Sequence, residues 1–274
     1  MAEGKRQQPK MHSDTKLDVE QMGEGRGLIL LHSLLSDRTA FDRIAPRLAR
    51  ERRVSLVNLH GFGASDPAGP GLEDFADRIA GHFSRLGIGS QTDLLGNGFG
   101  GFVAVALAVR HGGKFGKLVL VDTGATIPDA SKPAFAMMAE RVEQGGMAAV
   151  VEVALARMFP EDFLQAHPEI AAERRSSLLR ADPGNFAAAC RALARFDLRD
   201  EVKKIRIPTL VVVGMRDTAT PPALSKELAA NIPRAQLVEL PHCGHSPHIQ
   251  DPEGFWNVLK PFLGLSDGAD SVRP

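Results

Sequence analysis

The sequence predicts an α/β fold: a mostly parallel sheet with helices on both faces and a helical insertion between two of its strands. Three observations carry this. Short apolar runs alternate with amphipathic helical patterns along most of the chain. The runs are nearly continuous in apolar residues, as strands covered on both faces require. One long stretch, 128–204, contains no strand-like run at all.

Leu28–Leu31 is a short apolar run ending at His32, and reads as a strand. Arg38–Arg50 places Phe41, Ile44, Ala45 and Leu48 at helical spacing. Val54–Leu59 is strand-like. Leu72–Leu86 is helical, with Phe75, Ile79, Phe83 and Leu86 on one stripe. Thr92–Leu95 is a short strand, and Phe99–His111 a helix of small and apolar residues closed by Gly112 and Gly113. Lys117–Val121 and Thr209–Val213 are strands. Pro222–Asn231 is a helix, Gln236–Leu240 a strand and Pro252–Leu263 a final helix.

The 128–204 stretch has four helical patterns: Ser131–Gln144, Met147–Met158, Pro168–Arg180 and Gly184–Phe196. Pro168 suits a first helical turn, and Gly145-Gly146 suits a stop. The stretch carries Phe135, Met137, Met138, Met147, Met158, Phe159 and Phe163. Most of these belong in a core; a few suit the underside of an apolar pocket. The expected organisation is a disordered segment at 1–15, a core from 16–127 and 205–265, the helical insertion at 128–204 and a tail at 266–274.

At 274 residues the chain is long enough to bury roughly 75% of its unfolded surface. It therefore needs no disulfide or metal to hold a core. Lysine plus arginine and aspartate plus glutamate both number 33, a net charge of +0. That leaves no electrostatic footprint for nucleic acid or an anionic membrane. Two distant cysteines, Cys190 and Cys243, exclude a disulfide framework and a cysteine zinc site. Met1 to Lys10 lacks the apolar stretch of a signal peptide. The longest apolar runs, Phe102–Val109 and Leu28–Leu31, are too short to span a bilayer. A cytoplasmic protein with a small-molecule substrate and no cofactor is expected; oligomeric state is left open.

Three segments carry chemistry. Gly96-Asn97-Gly98-Phe99-Gly100-Gly101 lies directly after a strand and directly before a helix, the place of a G-x-S-x-G nucleophile elbow. Its central position is Gly98, which has no side chain to attack with, and Asn97 is no substitute. Asp217, in Gly214-Met215-Arg216-Asp217-Thr218-Ala219-Thr220-Pro221-Pro222, follows the carboxyl end of a strand, where parallel sheets gather ligands. Pro241-His242-Cys243-Gly244-His245-Ser246-Pro247-His248 follows the last strand. Three histidines spaced by three invite a metal reading. Gly244 and Pro247 break any helix that would align them, and no carboxylate pattern accompanies them. A single working histidine oriented by a carboxylate is the more economical reading.

Elbow, acid and histidine in that order is the chain order of the α/β-hydrolase triad. The sequence resembles that family over about residues 20–264. Leu31-His32-Ser33-Leu34-Leu35 looks like its oxyanion loop, and Asn58-Leu59-His60-Gly61-Phe62-Gly63-Ala64-Ser65-Asp66 like its D-x-x-G-x-G-x-S-D loop. Within the family it is most similar to the 3-oxoadipate enol-lactonases. The echoes are His32-Ser33-Leu34, the stretch from Phe186 to Arg199, and Asp217-Thr218-Ala219-Thr220-Pro221-Pro222.

The resemblance implies an α/β-hydrolase fold with the insertion as a cap. It implies that Asp217 orients His245, that His245 is the general base and acid, and that the backbone N–H groups of Leu34 and Phe99 form the oxyanion hole. Asn58 departs from the family's aspartate, and Gly98 from its serine. Three functions follow. One is an ester or enol-lactone hydrolase, impaired or working through water activated by the Asp217–His245 dyad in the space the serine side chain vacates. The second is a proton-transfer enzyme: an isomerase, lyase or cyclase. The third is a silent binding protein. One fold serves all three.

Overall fold

The computed structural model describes residues 15–266. The predicted segment 1–15, apart from Thr15, and the predicted tail, apart from Ser266, lie outside the described residues. Seven strands form one sheet: β1 (Val19–Met22), β2 (Arg26–Leu31), β3 (Arg52–Val57), β4 (Thr92–Asn97), β5 (Phe115–Val121), β6 (Thr209–Gly214) and β7 (Ala235–Leu240). Their order is β1-β3-β2-β4-β5-β6-β7. β1 runs antiparallel to β3, and every other pairing is parallel. This is the α/β-hydrolase fold expected from the sequence.

Strand alternation splits the core into two layers. Ile29, Leu31, Leu94, Leu118, Leu120 and Val211 face one side, with the helices Leu72–Gly81 and Phe99–His111. Leu28, Leu30, Leu95, Val119, Val121, Leu210 and Val212 face the other, against Phe41, Leu48, Phe255, Trp256 and Leu259. The central strands β4 and β6 are buried at every residue; the edge strand β7 is not. The helix Phe99–His111 is buried throughout its first ten residues because sheet, helix and insertion enclose it. Its tight approach requires Gly100: a Cβ there would run into the backbone carbonyls of Leu31 and His32.

Between β5 and β6 the described chain holds the α-helices Lys132–Gly145, Val151–Met158, Glu161–Ala166, Pro168–Leu179 and Pro183–Arg195. The first and last pack together, burying Phe135, Met138, Ala139 and Val142 on one and Phe186, Ala187, Cys190 and Leu193 on the other. An isolated bridge, Thr126 to Asp197, ties the two ends of the stretch. No helix among the described residues is long and apolar enough to cross a membrane.

Several element boundaries differ from the sequence expectation. The helix expected over Arg38–Arg50 is a 3₁₀ turn, Arg38–Phe41, and a short helix, Ala45–Leu48. Pro46 causes the break: it lacks an N–H and tolerates only a first turn, so a new helix starts there. The helix expected over Leu72–Leu86 breaks at His82, whose ψ of 4° is non-helical. The strand expected at Val54–Leu59 sits two residues earlier, at Arg52–Val57, because parallel pairing with β2 begins at Arg52. Leu59 is a buried loop residue whose N–H donates to His32 Nε2 at 3.0 Å. The edge strand β1 and the short helices Glu161–Ala166 and Pro247–Gln250 carry too little periodicity to be legible.

Three buried histidines stay neutral in this core. Burial lowers His32 and His60 to about 4 and His248 to about 3. An unfolded chain would take up their protons near the usual histidine value of about 6.5. Stability is therefore present above about 6.5 and lost as pH falls toward 4. Asp42, Asp93 and Asp122, whose carboxyls are raised by burial, act in the opposite sense, while His82, also lowered by burial, adds to the histidine side. Melting temperature should fall by at least ~5 °C between pH 6.5 and 4.5, on the order of 2 kcal/mol or more at this size. Calorimetry across that range checks it; a flat or rising melting temperature would contradict it.

Candidate active site

The loops after β2, β4, β6 and β7 meet at the carboxyl edge of the sheet. They bring Ser33, Gly98, Asp217 and His245 together. Asp217 and His245 are both buried, and His245 Nδ1 lies 2.9 Å from Asp217 Oδ2. Asp217 Oδ1 accepts from the backbone N–H groups of Ala219, at 2.7 Å, and Thr220, at 3.1 Å. The Thr220 hydroxyl lies 2.6 Å from Asp217 Oδ2 and 2.7 Å from the Asp122 carbonyl. The carboxylate is thus held by its own loop before it meets the ring. It accepts a hydrogen bond from Nδ1–H, which leaves Nε2 as an acceptor.

The His245 backbone is anchored on both sides. Its N–H donates to the Met158 carbonyl of the insertion at 3.0 Å. Its carbonyl accepts from Asn97 Nδ2 at 2.9 Å. Asn97, beside the glycine turn, therefore fixes the histidine loop.

Gly98 has φ 52° and ψ −117°, the turn conformation of an elbow. A Cβ at this position would lie 2.5 Å from His245 Nε2 and 2.6 Å from Ser33 Oγ. The sequence reading placed an activated water in a space left by the missing side chain. That space is instead closed by the imidazole and by Ser33, whose hydroxyl is 2.9 Å from His245 Nε2. The ring is short and the loop after β2 comes close, so both fill the gap beside the glycine.

Leu34 and Phe99 line the cavity beside His245, and neither N–H is taken by an acceptor among the described residues. Phe99 opens a helix, so its N–H has no carbonyl one turn back. His32 ties down the loop after β2. Leu59 N–H donates to His32 Nε2, so Nδ1–H donates to the Ser33 carbonyl at 2.8 Å. Gly100 N–H donates to the His32 carbonyl at 2.9 Å, joining this loop to the elbow helix.

A small cavity of about 30 Å³ opens above these groups. Ser33, Leu34, Phe99, Thr220 and His245 form its floor; Phe135, Met138, Arg157 and Leu193 come from the insertion. Arg157 is the one guanidinium in its wall. Of the other Met and Phe residues singled out in the insertion, Met147, Met158 and Phe159 are core residues and Met137 is exposed. The three histidines after β7 do not converge: His242 is exposed, and His248 packs against Phe41 with ring centroids 4.9 Å apart. No group of three metal-binding side chains occurs among the described residues. Asn58 is tied into a structural network, donating to Asp18 Oδ2 at 2.8 Å and accepting from Arg38 N–H at 2.9 Å.

Sequence reasoning missed two residues. Asp122 is fully buried at the end of β5 with φ 49°, and accepts from Gly214 N–H at 2.7 Å. Burial, then the neighbouring Asp217 charge, raises its carboxyl well above the carboxylate range. Its only signal was a lone acid at the end of an apolar run. Ser33 stood in a motif read for its backbone, and its hydroxyl went unweighed.

A continuous fold of this topology, with a buried Asp–His pair facing a cavity beside a glycine elbow, defines an α/β hydrolase. The Alpha/beta hydrolase family model matches residues 28–258, and the chain belongs to that family. It is 30% identical over 260 residues to the pimeloyl-[acyl-carrier protein] methyl ester esterase of Nitrosomonas europaea, covering 87% of this chain and 96% of that protein. It is 28% identical over 209 residues to 3-oxoadipate enol-lactonase 2 of Acinetobacter baylyi, covering 76% and 77%. Among solved structures it is similar to the enol-lactonase from Burkholderia xenovorans LB400, at TM-score 0.86 and 30% identity over 91% of this chain and 97% of that one. Enol-lactonases thus stand among its relatives, as the motifs suggested.

Substituting Gly98→Ser should cost stability. A non-glycine residue at this φ costs about 1–3 kcal/mol, and the new Cβ must push aside Ser33 or His245. A drop of ~2–10 °C in melting temperature is expected. An unchanged or higher value would contradict the closed geometry around Gly98.

Proposed function

We propose that this protein hydrolyses a carboxylic ester, an enol-lactone or a related carbonyl compound, with His245 as general base and acid and Asp217 as its orienting partner. The observation that carries the reading is the buried His245 ring, bound to Asp217 through Nδ1 and presenting Nε2 at the cavity floor. An attacking O–H held at Nε2 gives up its proton to the ring as it adds to the carbonyl carbon. The ring then returns the proton to the departing alkoxide or enolate. Charge gathers on the carbonyl oxygen meanwhile. The free N–H groups of Leu34 and Phe99 are its proposed donors, with the positive end of the Phe99–His111 helix behind them.

In this reading the insertion is a cap over 128–204, and the core is 16–127 with 205–265. The cap supplies apolar cover from Phe135, Met138 and Leu193 and one cation, Arg157, to meet an anionic end of a small-molecule substrate. The esterase and lactonase relatives support the substrate class. Gly98 leaves the usual nucleophile position without a side chain. No cofactor is needed for this chemistry.

The test is a panel of short aryl esters, methyl esters and lactones. The chain should hydrolyse at least one. His245→Ala and Asp217→Asn should each lower kcat/KM by ~10³-fold or more. Turnover unaffected by His245→Ala, or no hydrolysis of any member, would contradict the reading.

A further inference from the structure

We propose that Ser33, from the loop after β2, is the nucleophile of this enzyme in place of an elbow serine. The proposal rests on the hydrolase reading above. Ser33 Oγ is 2.9 Å from His245 Nε2, and this is the one hydrogen bond the hydroxyl makes among the described residues. His245 Nδ1–H donates a hydrogen bond to Asp217 Oδ2, so Nε2 accepts and Ser33 O–H donates. Ser33, His245 and Asp217 thus form the line of contacts that a nucleophile, base and orienting acid require.

Gly98 makes this line available. The Cβ of any residue there would lie 2.6 Å from Ser33 Oγ and 2.5 Å from Nε2, so a side chain at 98 and the Ser33 hydroxyl compete for one site. Ser33 also lines the cavity. The oxyanion donors remain in place. One elbow donor is always the N–H of the residue after the nucleophile. Leu34 follows Ser33 as Phe99 follows Gly98, so the same two N–H groups serve with their roles exchanged. His32 is a positioning residue: its Nδ1–H holds the Ser33 carbonyl and sets the direction of the loop.

The steps balance. Ser33 Oγ bonds to the substrate carbonyl carbon, the carbonyl π pair moves onto oxygen, and the Ser33 proton goes to His245 Nε2. The bond from that carbon to the leaving oxygen then breaks, and the leaving oxygen takes the proton. In a lactone it stays tethered to the acyl group. Water next adds to the acyl carbon and gives a proton to Nε2. The Ser33–acyl bond breaks, and Ser33 recovers its proton.

The experiment combines a fluorophosphonate probe with ester and lactone hydrolysis, using the full chain. The serine oxygen displaces fluoride from phosphorus, so the adduct marks the nucleophile by peptide mass spectrometry. The adduct is expected on Ser33, to be absent from Ser33→Ala and to be lost in His245→Ala. Ser33→Ala should also lower kcat by at least ~100-fold with little change in KM. Labelling needs no variant to fold, so it stands if Ser33→Ala is unstable. Hydrolysis that needs His245 but leaves Ser33 unlabelled, and survives Ser33→Ala, would overturn the proposal and leave the hydrolase reading intact. An adduct on Ser33 without turnover of any ester or lactone would support the nucleophile and overturn the hydrolase reading. Neither adduct nor turnover would overturn both.

Discussion

The hydrogen bond from His245 Nδ1–H to Asp217 Oδ2 is the interaction on which the site depends. It decides which ring nitrogen carries the proton, and so whether Nε2 receives one or offers one. Because both side chains are buried, the bond works in a low-dielectric setting where its direction is strongly enforced. Two backbone N–H groups and the Thr220 hydroxyl satisfy the carboxylate before it meets the ring. The neighbouring Asp122 carboxyl is raised by its burial and then by the Asp217 charge.

The rest of the fold keeps that bond in place. β6 delivers Asp217 and β7 delivers His245, and both loops are pinned to neighbours distant in sequence. Asn97 holds the histidine loop from the elbow side. The Met158 carbonyl holds it from the insertion, at the C-terminal end of a helix that also supplies Arg157 to the cavity wall. The cavity's upper wall and His245 beneath it therefore share one anchor. Gly98 completes the arrangement by having no Cβ, which lets the loop after β2 approach the ring.

Much of this was legible in the sequence, for a physical reason. Strands buried on both faces must be continuously apolar, so β2, β4, β5 and β6 announced themselves. The triad order and the loops after strands placed Asp217 and His245 together. Short or exposed pieces did not show: β1 is four residues with half-exposed ends, and Pro247–Gln250 is one turn. The closed space beside Gly98 was not legible either. It depends on how near two loops lie, one after residue 31 and one before 246, and no local pattern encodes a distance across more than 200 residues. Ser33 was visible as a letter and invisible as a neighbour.

The position of the protons in this line is the most direct test. Nitrogen-15 NMR of the His245 ring near neutral pH, compared with that of Ser33→Ala, reads them. A ring protonated at Nδ1 is expected, with Nε2 bare and hydrogen-bonded, and with the Nε2 signal shifting on loss of the Ser33 hydroxyl. A ring protonated at Nε2, or an Nε2 signal indifferent to Ser33, would contradict the account.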